Sequence, residues 1–442
     1  MKKIIKPVIE IFLWIAIPVI LVAFLYQFEM GILIVCVYGF TLLLLAARIM
    51  TLLWLKPLEC SREISDDVIP LSESVKVTVR IRNPHPWPML WAYAQETLPP
   101  RIPVNGTTKR LFFLPPGRTV HLFYELKLNQ RGCYQLGPAV IETGDIFGLF
   151  RKSRLDKKRD FVTVLPRYSV IEEINVGQRR MLGDFTARRS LIDDPSRIQG
   201  VREYRRGDPM KHIHWKSSAH AGELQTRVFE PVTEAGATVI LDFYEDAWKE
   251  ATMDDPNHPP SEIAVDTACS ICRYLWDGNW KVGFLSNGRD PLGIPGITVS
   301  QAKASDTLSA ALEAARMGIE DDRLEPLFIP ARRAEDQFML IHENLGRISL
   351  SDGLFVEQVM LDKLSAIERE QVLVIITGRV TDPFIEAVLR IRAMGYRMMI
   401  FIVKNSRAHD KAFQAFIPAG IEVFDLEHER RLTEVATGRR FL

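Results

Sequence analysis

Only five of the 442 residues are cysteine, at positions 36, 60, 133, 269 and 272. An odd, scattered set of this kind is not a disulfide framework, and it suits a reducing compartment. Net charge is also nearly absent. At +1 overall, nothing draws the chain as a whole toward nucleic acid, and any electrostatic partner must be read from local clusters. Several motifs are missing outright: G-x-x-x-x-G-K-[ST], G-x-S-x-G and H-E-x-x-H. The chain therefore does not read as its own ATPase, an α/β-hydrolase or a zincin. What remains is an ordinary globular composition, 47% hydrophobic and 25% charged, with room for two or three domains.

The first 56 residues depart from that average. Uncharged apolar runs cover residues 11–28 and 30–47, with Glu29 between them. Each is close to the roughly 20 residues that span a bilayer core, so residues 1–56 are expected to form a two-helix transmembrane hairpin turning near Glu29 and Gly31. Lys2, Lys3 and Lys6 precede it and Arg48, Lys56 and Arg62 follow. The positive-inside rule then puts both termini and the soluble domains in the cytoplasm, with the chain multi-pass in the cell membrane. A cleaved signal peptide is the rival reading. Glu10, the missing small-residue cleavage site and the second apolar run oppose it.

Residues 57–168 read as an all-β, sandwich-like domain. Val75, Val77, Val79 and Ile81 alternate with polar residues, as do Val120, Leu122, Tyr124, Leu126 and Leu128, which is the period of a half-buried strand. Asn105-Gly106 reads as a hairpin turn. Residues 169–199 read as a basic linker, with Arg179-Arg180 and Arg188-Arg189. Residues 200–235 are dense in reactive side chains. From 236 to 442, buried strands such as "ATVILDFY", "KVGFLSN", "QVLVIITG" and "YRMMIFIV" alternate with helical stripes. That pattern predicts a doubly wound α/β domain, closed by "GIEVFDL", with a further strand expected near Phe338–His342.

Residues 200–235 hold most candidate chemistry. On a strand, His212 and His214 would share a face and could meet one ion; packing between domains, together with Trp215, is the plainer alternative. Ser217 and Ser218 lie near both histidines, yet adjacency in sequence does not make a nucleophile and base. Arg202, Arg205, Arg206, Lys211 and Lys216, set against Glu203 and Asp208, form a basic cluster. It is suited to a phosphate, an anionic headgroup or an acidic partner, or else to internal ion pairs. Asp242 ends the first α/β strand, where open sheets place ligands. With Asp246 and Thr377 it offers oxygens for a divalent cation. Cys269 and Cys272 make a lone C-x-x-C inside a helical stripe, which points to packing.

The stretch "GVREYRRGDPMKHIHWKSSAHAGELQTRVFE" resembles the signature of the bacterial family called domain of unknown function 58. Arg202, Tyr204, Gly207, Asp208, Ile213, His214, Trp215, Ser218 and Ala219 match its pattern; Lys211 and His220 stand where the family usually has Arg. Upstream, "RGCYQLGPAVIETGDIFGLF" is similar to a second element of that family, matching at Arg131, Gly132, Tyr134, Gly137, Pro138, Asp145, Phe147, Gly148, Leu149 and Phe150, with Ile146 in place of a proline. The resemblance implies a membrane-anchored chain with a von Willebrand factor A-like domain, in a family with no established enzymatic activity. It implies a MoxR-type AAA+ ATPase as partner, with a transglutaminase-like membrane protein as a further one. It also implies a degenerate metal site, because Tyr244 and Gly378 replace a serine and an aspartate of the adhesion-site pattern. No cofactor beyond such a cation is expected. The resulting expectation is a membrane-tethered adaptor. Its rivals are a hydrolase or transferase on an envelope-linked or phosphorylated substrate, built on Asp208, His212 and His214, and a sensor of anionic lipid surfaces.

Overall fold

In a computed structural model of the protein, the described residues are 19–20, 22–23, 31–54, 58–100, 102–145, 151–156, 158–169, 193–205, 208–231, 236–249, 259–291, 308–309, 312, 325–403 and 405–426. The chain divides into two compact units, Met1–Thr163 with Gly296–Glu320, and Val164–Pro295 with Asp321–Leu442. The boundary falls before residue 168, because residues 164–169 belong to the second unit.

The first unit opens with helix α1 (Gly31–Trp54). Residues 31–48 make it long and apolar enough to cross a membrane. Over residues 31–48 its side chains, Ala47 apart, are largely exposed, with Ile32 84% and Val35 71% exposed, unlike a helix buried in a soluble core. The other expected span lies largely outside the described residues, although residues 19–20 and 22–23 are helical.

Eleven strands follow: β1 (Glu59–Ile64), β2 (Val68–Pro70), β3 (Ser74–Arg82), β4 (Met89–Glu96), β5 (Val104–Gly106), β6 (Lys109–Leu114), β7 (Thr119–Lys127), β8 (Gly132–Leu136), β9 (Ala139–Gly144), β10 (Arg151–Leu155) and β11 (Asp160–Leu165). They form sheets ordered β1-β3-β7-β5, β10-β9-β4-β6 and β2-β11-β8. The alternation read from sequence is the buried face: Val75, Val77, Val79 and Ile81 on β3 point inward with Leu122, Tyr124 and Leu126 on the antiparallel β7. Each such aliphatic side chain contributes about 1.5–3 kcal/mol by leaving water. Leu308 and Leu312 pack on Val140 and Leu155. Asn105-Gly106 is not a hairpin turn. It lies in edge strand β5, paired with β7, while β6 pairs with β4 in another sheet. Gly106 has φ +110°, and a Cβ there would stand 2.6 Å from the Phe123 carbonyl oxygen, so the glycine serves close approach of two backbones.

Inside this unit Arg62 is buried and ion-paired to Glu96 and, at 2.7 Å, to Asp160. Gly137, from the upstream family-like element, has φ +77°, and a Cβ there would lie 2.1 Å from the Arg62 guanidinium. A glycine is required because the arginine runs beneath it. Burial lifts the Glu96 carboxyl to about 7, with Arg62 opposing.

The second unit begins with a two-stranded antiparallel ribbon, β12 (Asp193–Glu203) and β13 (Gln225–Pro231), whose connection holds the short helix α2 (Trp215–Ala221). The α/β body comprises β14 (Gly236–Leu241), α3 (Pro260–Asp277), β15 (Lys281–Ser286), β16 (Leu327–Arg332), α4 (Gln337–Arg347), α5 (Val356–Lys363), β17 (Val372–Thr377), α6 (Asp382–Ala393), β18 (Arg397–Val403), α7 (Ser406–Phe416) and β19 (Glu422–Leu426). The sheet order is β16-β15-β14-β17-β18-β19. Every pairing is parallel except that of edge strand β16, which runs antiparallel to β15. Val239 and Leu241 bury against α3 and α4 on one face, while Ile240 joins α5, α6 and α7 on the other. Burial on both faces explains why these strands read as unbroken apolar runs.

The strand expected near Phe338–His342 is instead part of helix α4. Phe338, Ile341, His342 and Leu345 are buried, while Met339 and Leu340 face outward, so the true period was helical. Residues 166–169 dock on this helix and on α3. The Pro166 carbonyl meets His342 Nε2 at 2.9 Å, the Ser169 N–H donates to Ser270 Oγ, and Arg273 stacks on Tyr168 and Phe338.

Replacing Arg62 with Met is expected to cost the β unit about 3–5 kcal/mol, the usual penalty for stranding a buried partner charge. Glu96 would lose its main opposing cation, so its folded pKa rises further. Stability attached to a raised carboxyl is lost as pH climbs through the folded value. Denaturant unfolding should therefore show a larger deficit at pH 8 than at pH 5.

Candidate functional site

Two places in the second unit gather the residues singled out above. The first is the connection between β12 and β13. Its start is organised by Asp208, which accepts from the Arg202 guanidinium at 2.8 Å and from the Arg205 backbone N–H at 2.9 Å. These two donors, the guanidinium first, hold the Asp208 carboxyl below the ordinary range. Arg206 and Gly207 lie outside the described residues.

His212 and His214 are not on a strand, which removes the basis for a shared face. Met210–His212 is a single 3-10 turn, and His214 is the N-cap of α2. Only Ile213 between them is buried, bridging to Thr226. His214 Nδ1 accepts the Ser217 N–H at 3.1 Å, which places its proton on Nε2. Ser218 Oγ donates to the His214 carbonyl and accepts the Gln225 N–H at 2.8 Å. The ribbon is stitched further by His214 N–H to the Gln225 carbonyl and Tyr204 N–H to the Leu224 carbonyl. A helix of one or two turns has many orphan donors for its length, and here the His214 side chain satisfies one of them, the Ser217 N–H. Trp215 does not anchor the segment as expected: it is 65% exposed, as is Met210, with Lys211 and Lys216 exposed beside them and Ala219 at the surface.

The second place is the carboxyl end of the sheet, where the chain leaves β14 and β17 toward opposite faces, the position at which open α/β sheets place ligands. Asp242 is fully buried there. Its carboxylate accepts from Thr377 Oγ1 at 2.8 Å, Asn287 Nδ2 at 3.1 Å and the Tyr244 N–H at 3.3 Å. Asn287 also accepts the Phe243 N–H and donates to the Leu354 carbonyl, so one carboxylate links the ends of three strands. Burial raises the Asp242 pKa, with Thr377 and Asn287 opposing.

Thr377 thus joins Asp242 as expected, but Asp246 does not. It sits on the exposed turn Glu245–Trp248, ion-paired to Lys249. Gly378 accommodates Trp248, since a Cβ there would stand 2.8 Å from the indole. Among the described residues no cluster of three His, Cys, Asp or Glu side chains is arranged to hold a metal ion. Cys269 and Cys272 are buried in α3, and burial pushes both thiols up, as fits packing rather than redox chemistry.

Sequence reasoning missed Arg379, two residues beyond Thr377. Its guanidinium carbon lies 4.8 Å from the Tyr244 ring centroid and 5.2 Å from that of Phe355. A lone arginine in "ITGRVTD" carries no signal by itself, and the two rings come from distant loops.

Because burial raises the Asp242 pKa, ionised Asp242 opposes folding above its folded pKa, and protonation relieves that cost below it. Asp242→Asn keeps the shape and removes the charge. It is expected to raise the thermal midpoint at pH 8, with an advantage that shrinks toward pH 4.

Comparison with known proteins leaves the family open. No family model matches the chain. It is 27% identical over 219 residues to the uncharacterized protein YeaD of Bacillus subtilis, spanning 48% of this chain and 55% of that relative, so the match covers about half the relative's length. Among solved structures, part of the Escherichia coli alpha-2-macroglobulin aligns at 17% identity with a TM-score of 0.22, covering 26% of this chain and 17% of that one. The CARDB domain of a Pyrococcus furiosus protein aligns at 15% identity and a TM-score of 0.18, over 24% of this chain and 92% of that one.

Proposed function

We propose that this chain is a membrane-tethered, non-enzymatic adaptor whose α/β unit presents docking surfaces to a protein partner. The observation that carries the reading is how the reactive groups of residues 202–220 are used. Asp208 is occupied by Arg202 and the Arg205 N–H, His214 Nδ1 by the Ser217 N–H, and Ser218 Oγ by two backbone groups. A general base or nucleophile needs a lone pair or proton directed at substrate; these are directed at the segment's own backbone and at Arg202. That favours the adaptor over a hydrolase or transferase built on Asp208, His212 and His214. What the segment offers outward is Trp215 and Met210 with Lys211 and Lys216, and an exposed tryptophan among cations is the composition of an interaction hot spot.

The sheet order, with its single antiparallel edge strand, supports the von Willebrand factor A-like reading. The resemblance of residues 200–230 to the signature of domain of unknown function 58 supports a MoxR-type AAA+ ATPase as partner. Helix α1 supports the tether, and the lysines and arginines flanking the apolar runs support a hairpin with both ends cytoplasmic.

Co-purification from native membranes under mild detergent tests the reading. Recovery of an AAA+ ATPase is expected, and recovery of no protein partner would overturn it. Trp215→Ala removes an exposed ring without touching the core. It should leave the thermal midpoint unchanged while weakening partner binding about tenfold or more.

A further inference from the structure

Arg379 is positioned with unusual definition for a surface arginine. Its N–H donates to Thr377 Oγ1 at 3.2 Å, and the same hydroxyl donates to Asp242. The backbone that carries the arginine is thereby tied to the buried carboxylate. Tyr244 and Phe355 pack on each other with ring centroids 4.8 Å apart, and the guanidinium carbon lies against both, 4.8 and 5.2 Å from their centroids. Their loops are held together by the Tyr244–Ser351 bridge and by the Glu245 N–H donating to the Ser351 carbonyl.

A cation–π contact attracts a guanidinium through its charge and does not use up its N–H donors. Among the described residues, those donors make no hydrogen bond and no ion pair. The nearby acids are engaged elsewhere or held back: Asp246 is paired with Lys249, Asp242 is bonded by Thr377 and Asn287, and Glu357 is half-buried on α5. Phe355 is 36% exposed and Arg379 is partly exposed, so the opening reaches solvent.

We propose that Arg379, held against the Tyr244–Phe355 ring pair at the carboxyl end of the sheet, is a metal-independent recognition site for a carboxylate side chain of a protein partner. A planar fork of donors matches one carboxylate in bidentate fashion. Phosphate is the poorer fit. Its second charge would sit on the same bound group, close to Asp242, Asp246 and Glu357, whereas the further charges of an acidic peptide lie residues away; the neighbouring Lys249 is already paired with Asp246. The inference deepens the adaptor reading and rests on it, by naming the chemistry that one docking surface selects.

The test uses the full chain in detergent micelles and fluorescence anisotropy of a labelled oligoglutamate peptide. Oligoglutamine and phosphoserine peptides of equal length serve as comparisons. Oligoglutamate binding is expected to persist in EDTA, and to fall about tenfold or more in both Arg379→Met and Arg379→Lys. It should survive the Lys211→Ala/Lys216→Ala double variant, which separates this site from the basic segment. Equal binding by the Arg379 variants, loss of binding in EDTA, or tighter binding of the phosphoserine peptide would overturn the proposal. Matched thermal midpoints confirm that the variants fold, and Arg379→Lys carries the test if Arg379→Met unfolds. Partner recovery from membranes, run in parallel, separates the two ideas. Equal recovery by wild type and Arg379→Met leaves the adaptor standing and removes this site, whereas recovery by neither removes the adaptor.

Discussion

The buried carboxylate of Asp242 is the constraint on which the α/β unit's working end depends. An acid with no access to water is tolerated only when donors surround it, and here the donors come from three different chain segments. Thr377 reaches it from the end of β17, Asn287 from just beyond β15, and the Tyr244 N–H from the loop it begins. Satisfying one group therefore sets the relative positions of the loops after all three strands. Tyr244, Phe355 and Arg379 inherit their geometry from it. Thr377 and Asn287 compensate the charge by hydrogen bonding, and Trp248 packs against Gly378 next to them.

The same economy governs the segment between β12 and β13. Polar side chains that look catalytic in a linear reading are the ones a short, irregular segment needs to satisfy its own backbone. His214 caps a helix too short to stand alone, Ser218 ties that helix to β13, and Asp208 closes the preceding turn. Ile213 supplies the buried contact, leaving Trp215 free to face outward. In the β unit, Arg62 plays the corresponding part: a buried cation joins β1, β4 and β11 and requires a glycine at 137.

Period-two alternation located β3 and β7, and unbroken apolar runs located β14, β15, β17 and β18, because burial on one face or on both leaves a direct imprint on residue order. The imprint fails where the run is short. "QFMLIHENLG" reads as apolar over a strand's length, and only the outward turn of Met339 and Leu340 reveals a helix. Asn105-Gly106 carried a turn composition, yet its glycine answers to Phe123 across the sheet, a contact no local window contains. Arg379 and the Arg62–Gly137 pairing were illegible for the same reason, since their meaning lies in residues brought together by topology. The tie between Asp242 and Thr377 was legible, because strand ends at a switch point converge in any open α/β sheet; the separation of Asp246 was not.

The central claim is that Asp208, His214 and Ser218, the reactive groups of the segment between β12 and β13, are engaged by its own fold. Site-resolved amide hydrogen exchange tests it most directly, at Arg205, Ser217 and Gln225, whose N–H groups are bound by Asp208, His214 and Ser218. The account predicts protection at all three well above that of exposed loop amides, despite the solvent-facing position of the segment. Exchange at the unprotected rate would contradict it, because those side chains would then be free for chemistry.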